Sequence, residues 1–170
     1  VRRIILKEIG VLFLKSKVEV KGLSGLSKCF RTAVESIGGD GDILFVGSPF
    51  TCLPFAEFLC YGIRELPLKP FFMPSLESGK TRELVKNEGY GYQLGGLKAG
   101  TAYRIVTLLG GLAIPKYGVP PKALKEAIDR LPGSKDTIAV CFQGSLRNLD
   151  WTNTFQFKYL IDTDLTVTME

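Results

Sequence analysis

The chain has no histidine in its 170 residues, and that absence removes whole classes of chemistry. No Ser–His–Asp triad, Cys–His nucleophile pair, imidazole proton shuttle or histidine-ligated metal can be built from it. Acid–base or nucleophilic work would fall to Cys, Lys, Tyr, Asp, Glu or backbone groups. Tryptophan is nearly absent too, with Trp151 alone. No apolar stretch approaches the roughly 20 residues of a membrane-spanning helix. The opening Val1-Arg2-Arg3-Ile4-Ile5-Leu6 sets basic residues before apolar ones. Lys7 and Glu8 then interrupt it, and no small-residue cleavage site follows. A cytoplasmic protein without membrane contact is expected.

Cysteine pairs at metal spacing are also missing. Cys29, Cys52, Cys60 and Cys141 stand apart, and no two are spaced like zinc ligands. Cys52 and Cys60 share one expected helix, where eight residues rise roughly 12 Å, too far for a disulfide. Scattered cysteines of this kind usually serve as buried small hydrophobes. The net charge of +5 invites a nucleic-acid reading, but the basic residues are dispersed and no recognition motif accompanies them. The excess better suits solubility or a small anion.

What is present is a series of short apolar runs that end on glycine. They are Ile43–Gly47, Ile105–Gly110 and Ile138–Gly144. Runs this short and this rich in β-branched residues read as strands buried on both faces. Helix-like stretches separate them, so the expected fold is α/β. It is a three-layer, Rossmann-like or flavodoxin-like domain with a mainly parallel sheet of about five strands. Residues 1–21 are expected as an N-terminal arm, with Val11–Leu14 and Lys17–Lys21 as strands, and 22–170 as one domain. An amphipathic helix over 24–37 turns Leu26, Phe30, Ala33, Val34 and Ile37 to one side. Leu68–Met73 reads as a strand that lies near an edge or starts late, because of Pro70. Lys80–Asn87 reads as a short helix, and Glu88–Gly96 as a mobile glycine-rich loop whose Tyr90 and Tyr92 could close over a cleft, with a structural turn as the plainer reading. Pro120-Pro121 opens a helix that reaches about Arg130. Phe155–Ile161 alternates as a last strand, with Leu165–Met169 as an edge segment.

The segment richest in chemistry is Val46-Gly47-Ser48-Pro49-Phe50-Thr51-Cys52-Leu53-Pro54, a strand turning tightly into a helix. Proline is tolerated in the first helical turn, so Pro54 predicts Thr51 as N-cap and Cys52 as the first helical residue. Free N–H groups at that helix end suit a phosphate or carboxylate. The same end lowers a thiol pKa, making Cys52 a candidate nucleophile. The plainer alternative is a well-formed helix start with Cys52 packed away. Gly110-Gly111 would let backbone approach a ligand closely, or serve a turn alone. Lys116 would supply a counter-charge or charge stabiliser, unless it is simply solvated. Gln143-Gly144-Ser145 offers an amide and a hydroxyl at the same sheet edge, with Gln143 and Gly144 as one wall of the site. Trp151 reads as loop packing rather than a stacking platform.

Two familiar patterns fail. Glu77-Ser78-Gly79-Lys80-Thr81 ends like a phosphate-binding loop, but the required glycine is Pro74, which offers no N–H. Gly89-x-Gly91 lacks the third glycine of a dinucleotide fingerprint, which would fall at Leu94.

With these residues in view, the chain resembles an uncharacterised archaeal family, prominent in methanogens and known as a domain of unknown function. The resemblance is carried by VGSPFTCLPFAEFL (46–59), LLGGLAIPK (108–116), VCFQG (140–144) and FKYLID (157–162). It extends from about residue 22, and 1–21 lie outside it. It implies an archaeal, cytoplasmic protein and carries no activity, cofactor or catalytic residue. The residues themselves lead to one expectation: a small anionic metabolite or nucleotide bound by Gly47, Ser48, Thr51, Gly110, Gly111, Gln143 and Gly144, with Cys52 and Lys116 for any chemistry. They name no cofactor and no metal. The rival expectation is a non-catalytic homodimeric interaction protein whose glycines serve backbone geometry alone.

Overall fold

The structure is a computed structural model and describes residues 17–169. Within them a seven-stranded mixed sheet lies between two layers of helices. In chain order the elements are α1 (Gly22–Ile37), β1 (Gly41–Gly47), α2 (Pro49–Gly62), β2 (Leu68–Pro74), β3 (Arg82–Asn87), β4 (Gly91–Leu97), β5 (Tyr103–Leu109), α3 (Pro121–Asp129), β6 (Asp136–Phe142), α4 (Leu149–Thr154) and β7 (Tyr159–Thr163). The strands lie in the order β4-β3-β2-β1-β5-β6-β7. β2, β1, β5, β6 and β7 are mutually parallel, while β3 runs antiparallel to both β2 and β4.

Alternation along the central strands splits the core in two. Ile43, Phe45, Ile105, Leu109, Ile138 and Val140 face α1 and α2. Leu44, Val46, Val106, Leu108, Ala139 and Cys141 face α3, α4 and the 110–113 turn. The period-2 geometry of a strand puts neighbours on opposite faces, and both faces are covered, so the strands read as unbroken apolar runs. α1 buries Leu26, Phe30, Ala33, Val34 and Ile37 as their helical spacing predicts. α3 begins at Pro121, just after the second proline's neighbour Pro120 takes the cap position.

Several sequence expectations are corrected. The sheet has seven strands, not about five, because 82–97 form a hairpin where a helix and a mobile loop were expected. Leu84 alone of that segment's residues is buried, too few for a helical face, and pairing with β2 at Phe71 and Phe72 decides the matter. Tyr92 packs against the core rather than closing over a cleft. β2 is interior and not near an edge; its pairing with β3 covers only Phe71 and Phe72, so Pro70 has one neighbouring strand, β1. The last strand starts at Tyr159; Phe155 instead stacks on Trp151 and on Phe157, with ring centroids 5.9 and 5.8 Å apart. Residues 17–21 and 164–169 form no strand. The strand expected at Val11–Leu14, and the rest of the arm, lie outside the described residues.

Candidate functional site

The parallel strands turn at one place. Moving outward from β1, the chain goes to β2 on one side and to β5 on the other. α2, which follows β1, covers one face of the sheet; the turn and α3, which follow β5, cover the other. In sheets of this kind ligands bind where the strand order diverges in this way, which here is at the carboxyl ends of β1 and β5.

α2 starts one residue after β1 ends. Ser48 is its N-cap, and the Ser48 carbonyl accepts the Cys52 N–H at 2.9 Å. This corrects the expectation that Thr51 caps the helix. Pro49 is pre-set for the first helical position, so the helix begins three residues earlier and Pro54 falls inside it. Pro54 cannot donate to the Phe50 carbonyl and sits on the exposed side of the helix. The Phe50 and Thr51 N–H groups of the first turn have no intrahelical acceptor.

Thr51 Oγ1 donates to Ser48 Oγ at 3.2 Å and lies 3.7 Å from Cys52 Sγ. Ser48 is 1% exposed and Cys52 3%. Burial pushes the Cys52 thiol up from its ordinary value, and hydrogen bonds from Thr51 and from the Ser48 and Gly111 backbone offset this only in part. Burial is thus the dominant influence on this thiol.

The glycines have a steric reason. A Cβ on Gly47 would lie 2.3 Å from Cys52 Cβ, and one on Gly111 would lie 2.4 Å from Cys52 Sγ and 2.6 Å from Thr51 Oγ1. On its other side the glycine pair meets the β6 loop, since a Cβ on Gly110 would lie 2.6 Å from Ser145 Oγ and 2.9 Å from Cys141 Cβ. Gly47, Ser48, Thr51, Cys52, Gly110 and Gly111 are thus brought together, and the β6 loop adjoins them. Lys116 is exposed on the loop that follows.

Gln143 and Gly144, directly after β6, both have positive φ, 52° and 70°. The Gly144 N–H donates to Asp162 Oδ1 at 2.9 Å, and Arg147 Nε donates to Asp162 Oδ2 at 2.6 Å. Burial opposes the Asp162 charge, but the Gly144 N–H, Arg147 and Cys141 together hold its carboxyl below the usual range. Burial pushes the neighbouring Cys141 thiol up to about 11.

Sequence reasoning missed three features here. Phe50, two residues from the cap, is 84% exposed, and its place between two prolines was the available signal. Ser75 follows β2 with φ 51° and donates its N–H to the Gly47 carbonyl at 3.0 Å. Asp162 carries no local motif, and only the pairing of β7 with β6 brings it beneath Gly144. Ser75 and Gln143 are the non-glycine residues of positive φ among the described residues, and both directly follow parallel strands at this edge.

The chain is therefore an α/β protein with a mostly parallel sheet, whose strand order reverses beside a tightly packed helix start. It belongs to the family described as uncharacterized protein conserved in archaea (DUF2124), whose model matches residues 21–166. An uncharacterized protein of Methanocaldococcus jannaschii is 35% identical over 152 residues, covering 89% of this chain and 91% of that one. Another, from Methanothermobacter thermautotrophicus, is 28% identical over 148 residues, covering 86% and 92%. A crystal structure of a protein of unknown function from Methanothermobacter thermautotrophicus superposes with a TM-score of 0.80 at 25% identity, covering 92% of this chain and 97% of that one. No helix among the described residues is long and apolar enough to cross a membrane.

Proposed function

We propose that the protein binds a small anionic metabolite or nucleotide at the carboxyl edge of the parallel strands, between β1 and β5. The observation that carries this reading is the strand order β2-β1-β5-β6-β7, flavodoxin-like in its parallel part, with α2 and α3 leaving to opposite faces. Ligands of such sheets bind at the point where the order reverses. In this reading the Phe50 and Thr51 N–H groups and the positive end of α2 receive the anion. Lys116 supplies a nearby positive charge, Gln143 and Gly144 form the far wall, and the Phe50 ring offers a stacking face to a planar group. The left-handed Ser75 and Gln143 support it further, since such strain is costly and collects at functional sites. Cys52, 3% exposed and with its thiol raised by burial, forms the floor of this site.

The test is a thermal-shift screen with nucleotides, phosphorylated metabolites and carboxylates on wild type and on Phe50→Ala/Lys116→Ala. These two side chains are exposed, so the variant keeps the fold. A ligand at a hundredfold its Kd adds about 2.7 kcal/mol and raises Tm by a few degrees. The shift is expected in wild type and lost in the variant. No shift across the panel removes the reading.

A homodimeric interaction protein is the second reading. It is favoured by four exposed apolar residues that follow four adjacent parallel strands: Phe50 (84%), Leu76 (39%), Ile114 (38%) and Leu149 (74%). Association abolished by Phe50→Asp/Leu149→Asp, read by light scattering, would favour it over a small ligand.

A further inference from the structure

Asp162 is the most enclosed acid of any ion pair among the described residues. Its side chain is 15% exposed, against 29% for Glu83 and more for the others. Three donors close on it. The Gly144 N–H and the Cys141 thiol donate to Oδ1 at 2.9 and 3.4 Å, and Arg147 Nε donates to Oδ2 at 2.6 Å. Main chain and core thus fix the carboxylate, and the carboxylate fixes the arginine. The Arg147 side chain is 56% exposed and gives Nε alone to the protein; its two terminal amino groups meet no acceptor among the described residues. Arg64 and Arg104, by contrast, each give a terminal amino group to a main-chain carbonyl. The turn that carries Arg147 is tied down as well. The Arg147 N–H donates to the Gly144 carbonyl at 2.8 Å, and Ser145 Oγ donates to the Gly110 carbonyl at 3.4 Å. A guanidinium held through Nε still presents its terminal pair as a planar fork that matches two oxygens of a phosphate or carboxylate. Because Asp162 has already ordered the side chain, little further entropy is lost when an anion takes the fork.

We propose that Arg147 is a second anion-binding point of the site, so that the ligand is elongated and acidic at both ends. This rests on the reading above: one end lies on the Phe50 and Thr51 N–H groups, the other on the Arg147 fork. Strands β1, β5 and β6 are consecutive in the sheet, so the loops after β1 and β6 stand two strand spacings, about 10 Å, apart. Asp162 lies one strand further from α2, on β7, and holds the guanidinium on that side. A single phosphate therefore does not touch both points, and a ligand with one acidic group leaves one of them empty. Gly110-Gly111, at the end of β5, lies between the two.

The test is a titration of the full chain followed by heteronuclear NMR, which resolves backbone amides and arginine guanidinium groups. The probes are inorganic phosphate, methylene bisphosphonate and hexamethylene bisphosphonate, whose extended length matches the span. The long probe is expected to move the Phe50 and Thr51 amides and the Arg147 guanidinium together, and to bind about tenfold tighter than inorganic phosphate. The short bisphosphonate, with the same two groups side by side, is not expected to share that gain. Arg147→Gln should abolish the gain. Arg147→Lys keeps a charge beside Asp162 and should still lose most of it, because an ammonium offers no fork; thermal melts confirm that both variants are folded. Equal affinity for the long and short probes overturns the proposal, as does a gain kept in full by either folded variant. In both cases phosphate shifts at Phe50 and Thr51 would leave the reading above standing. Absence of those shifts with every probe overturns both.

Discussion

At the amino ends of the parallel strands the loops are bonded to one another, whereas at the carboxyl ends strain and exposed groups persist. Asp42, 6% exposed, accepts the Thr101 N–H at 2.8 Å, the Thr101 hydroxyl at 3.3 Å and the Ala102 N–H at 3.3 Å. The Gly100 N–H donates to the Tyr103 hydroxyl at 2.7 Å, and Arg104 donates to the Ile37 carbonyl at the end of α1, at 2.8 Å. Across the sheet, Ser75 and Gln143 hold left-handed backbone and Phe50 and Leu149 stand in solvent. Bonds that close on themselves explain an end by stability alone. The carboxyl end has closures of its own, Gly144 N–H to Asp162 and Ser75 N–H to the Gly47 carbonyl, but among the described residues it holds the left-handed non-glycine backbone, which collects where a ligand or partner binds.

The comparison can be broken most severely at Gly133. Its φ is +103°, and a Cβ there would lie 2.2 Å from the Tyr103 carbonyl oxygen and 2.5 Å from the Tyr103 nitrogen. Gly133→Ala should destabilise by about 3–5 kcal/mol. A denaturation midpoint within error of wild type would show that the amino end is not locked. Asp42→Ala strands two backbone donors and should cost about 2–3 kcal/mol, measured by urea unfolding, with ligand binding in the folded fraction unchanged.

At the carboxyl end the expected effects are smaller and coupled. Gly111→Ala drives a methyl into Cys52 Sγ and Thr51 Oγ1 and should cost about 1–3 kcal/mol. Combined with Cys52→Ala the loss should be less than the sum, because the clash with Sγ has been removed while that with Thr51 Oγ1 remains. Strict additivity in a double-mutant cycle would mean that Gly111 does not close on Cys52.

The buried thiols make an alkaline prediction. Burial raises Cys52, Cys60 and Cys141, the last to about 11. Between the unfolded thiol value and these raised ones, the unfolded chain has lost protons that the native chain keeps. Stability is therefore full below about pH 9 and falls as pH rises towards 11. Cys141→Ala should flatten that fall in melts recorded from pH 8 upward; an unchanged slope would discount Cys141. The smallest effect lies midway between the ends, at Thr107, which is fully buried with an unpartnered hydroxyl. Thr107→Val should stabilise by about 1 kcal/mol, and a loss of stability would point to an uncounted partner of Oγ1.

Much of the central fold is legible in the chain because burial on both faces imposes its own pattern. The runs at 43–46, 105–109 and 138–142 and the spacing of Leu26, Phe30, Ala33, Val34 and Ile37 need no tertiary knowledge. The hairpin at 82–97 has no such pattern. Its glycines weaken a strand in isolation, and only β2 on one side and α2 over Tyr92 and Leu94 hold it in place. Within the site, Gly47, Ser48, Thr51 and Cys52 are one continuous segment and were visible as such. Ser75 and Asp162 arrive from β2 and β7, and no local signal joins them to it. The amino-acid order by itself determined which segments are apolar, where glycine and proline end them, and that no histidine chemistry is available. Only the tertiary structure decided that Cys52 is sealed beneath Gly47 and Gly111, that the strand order reverses there, and that β4 is left as an edge. Those outcomes depend on contacts between residues far apart in the chain, and local periodicity carries no information about them.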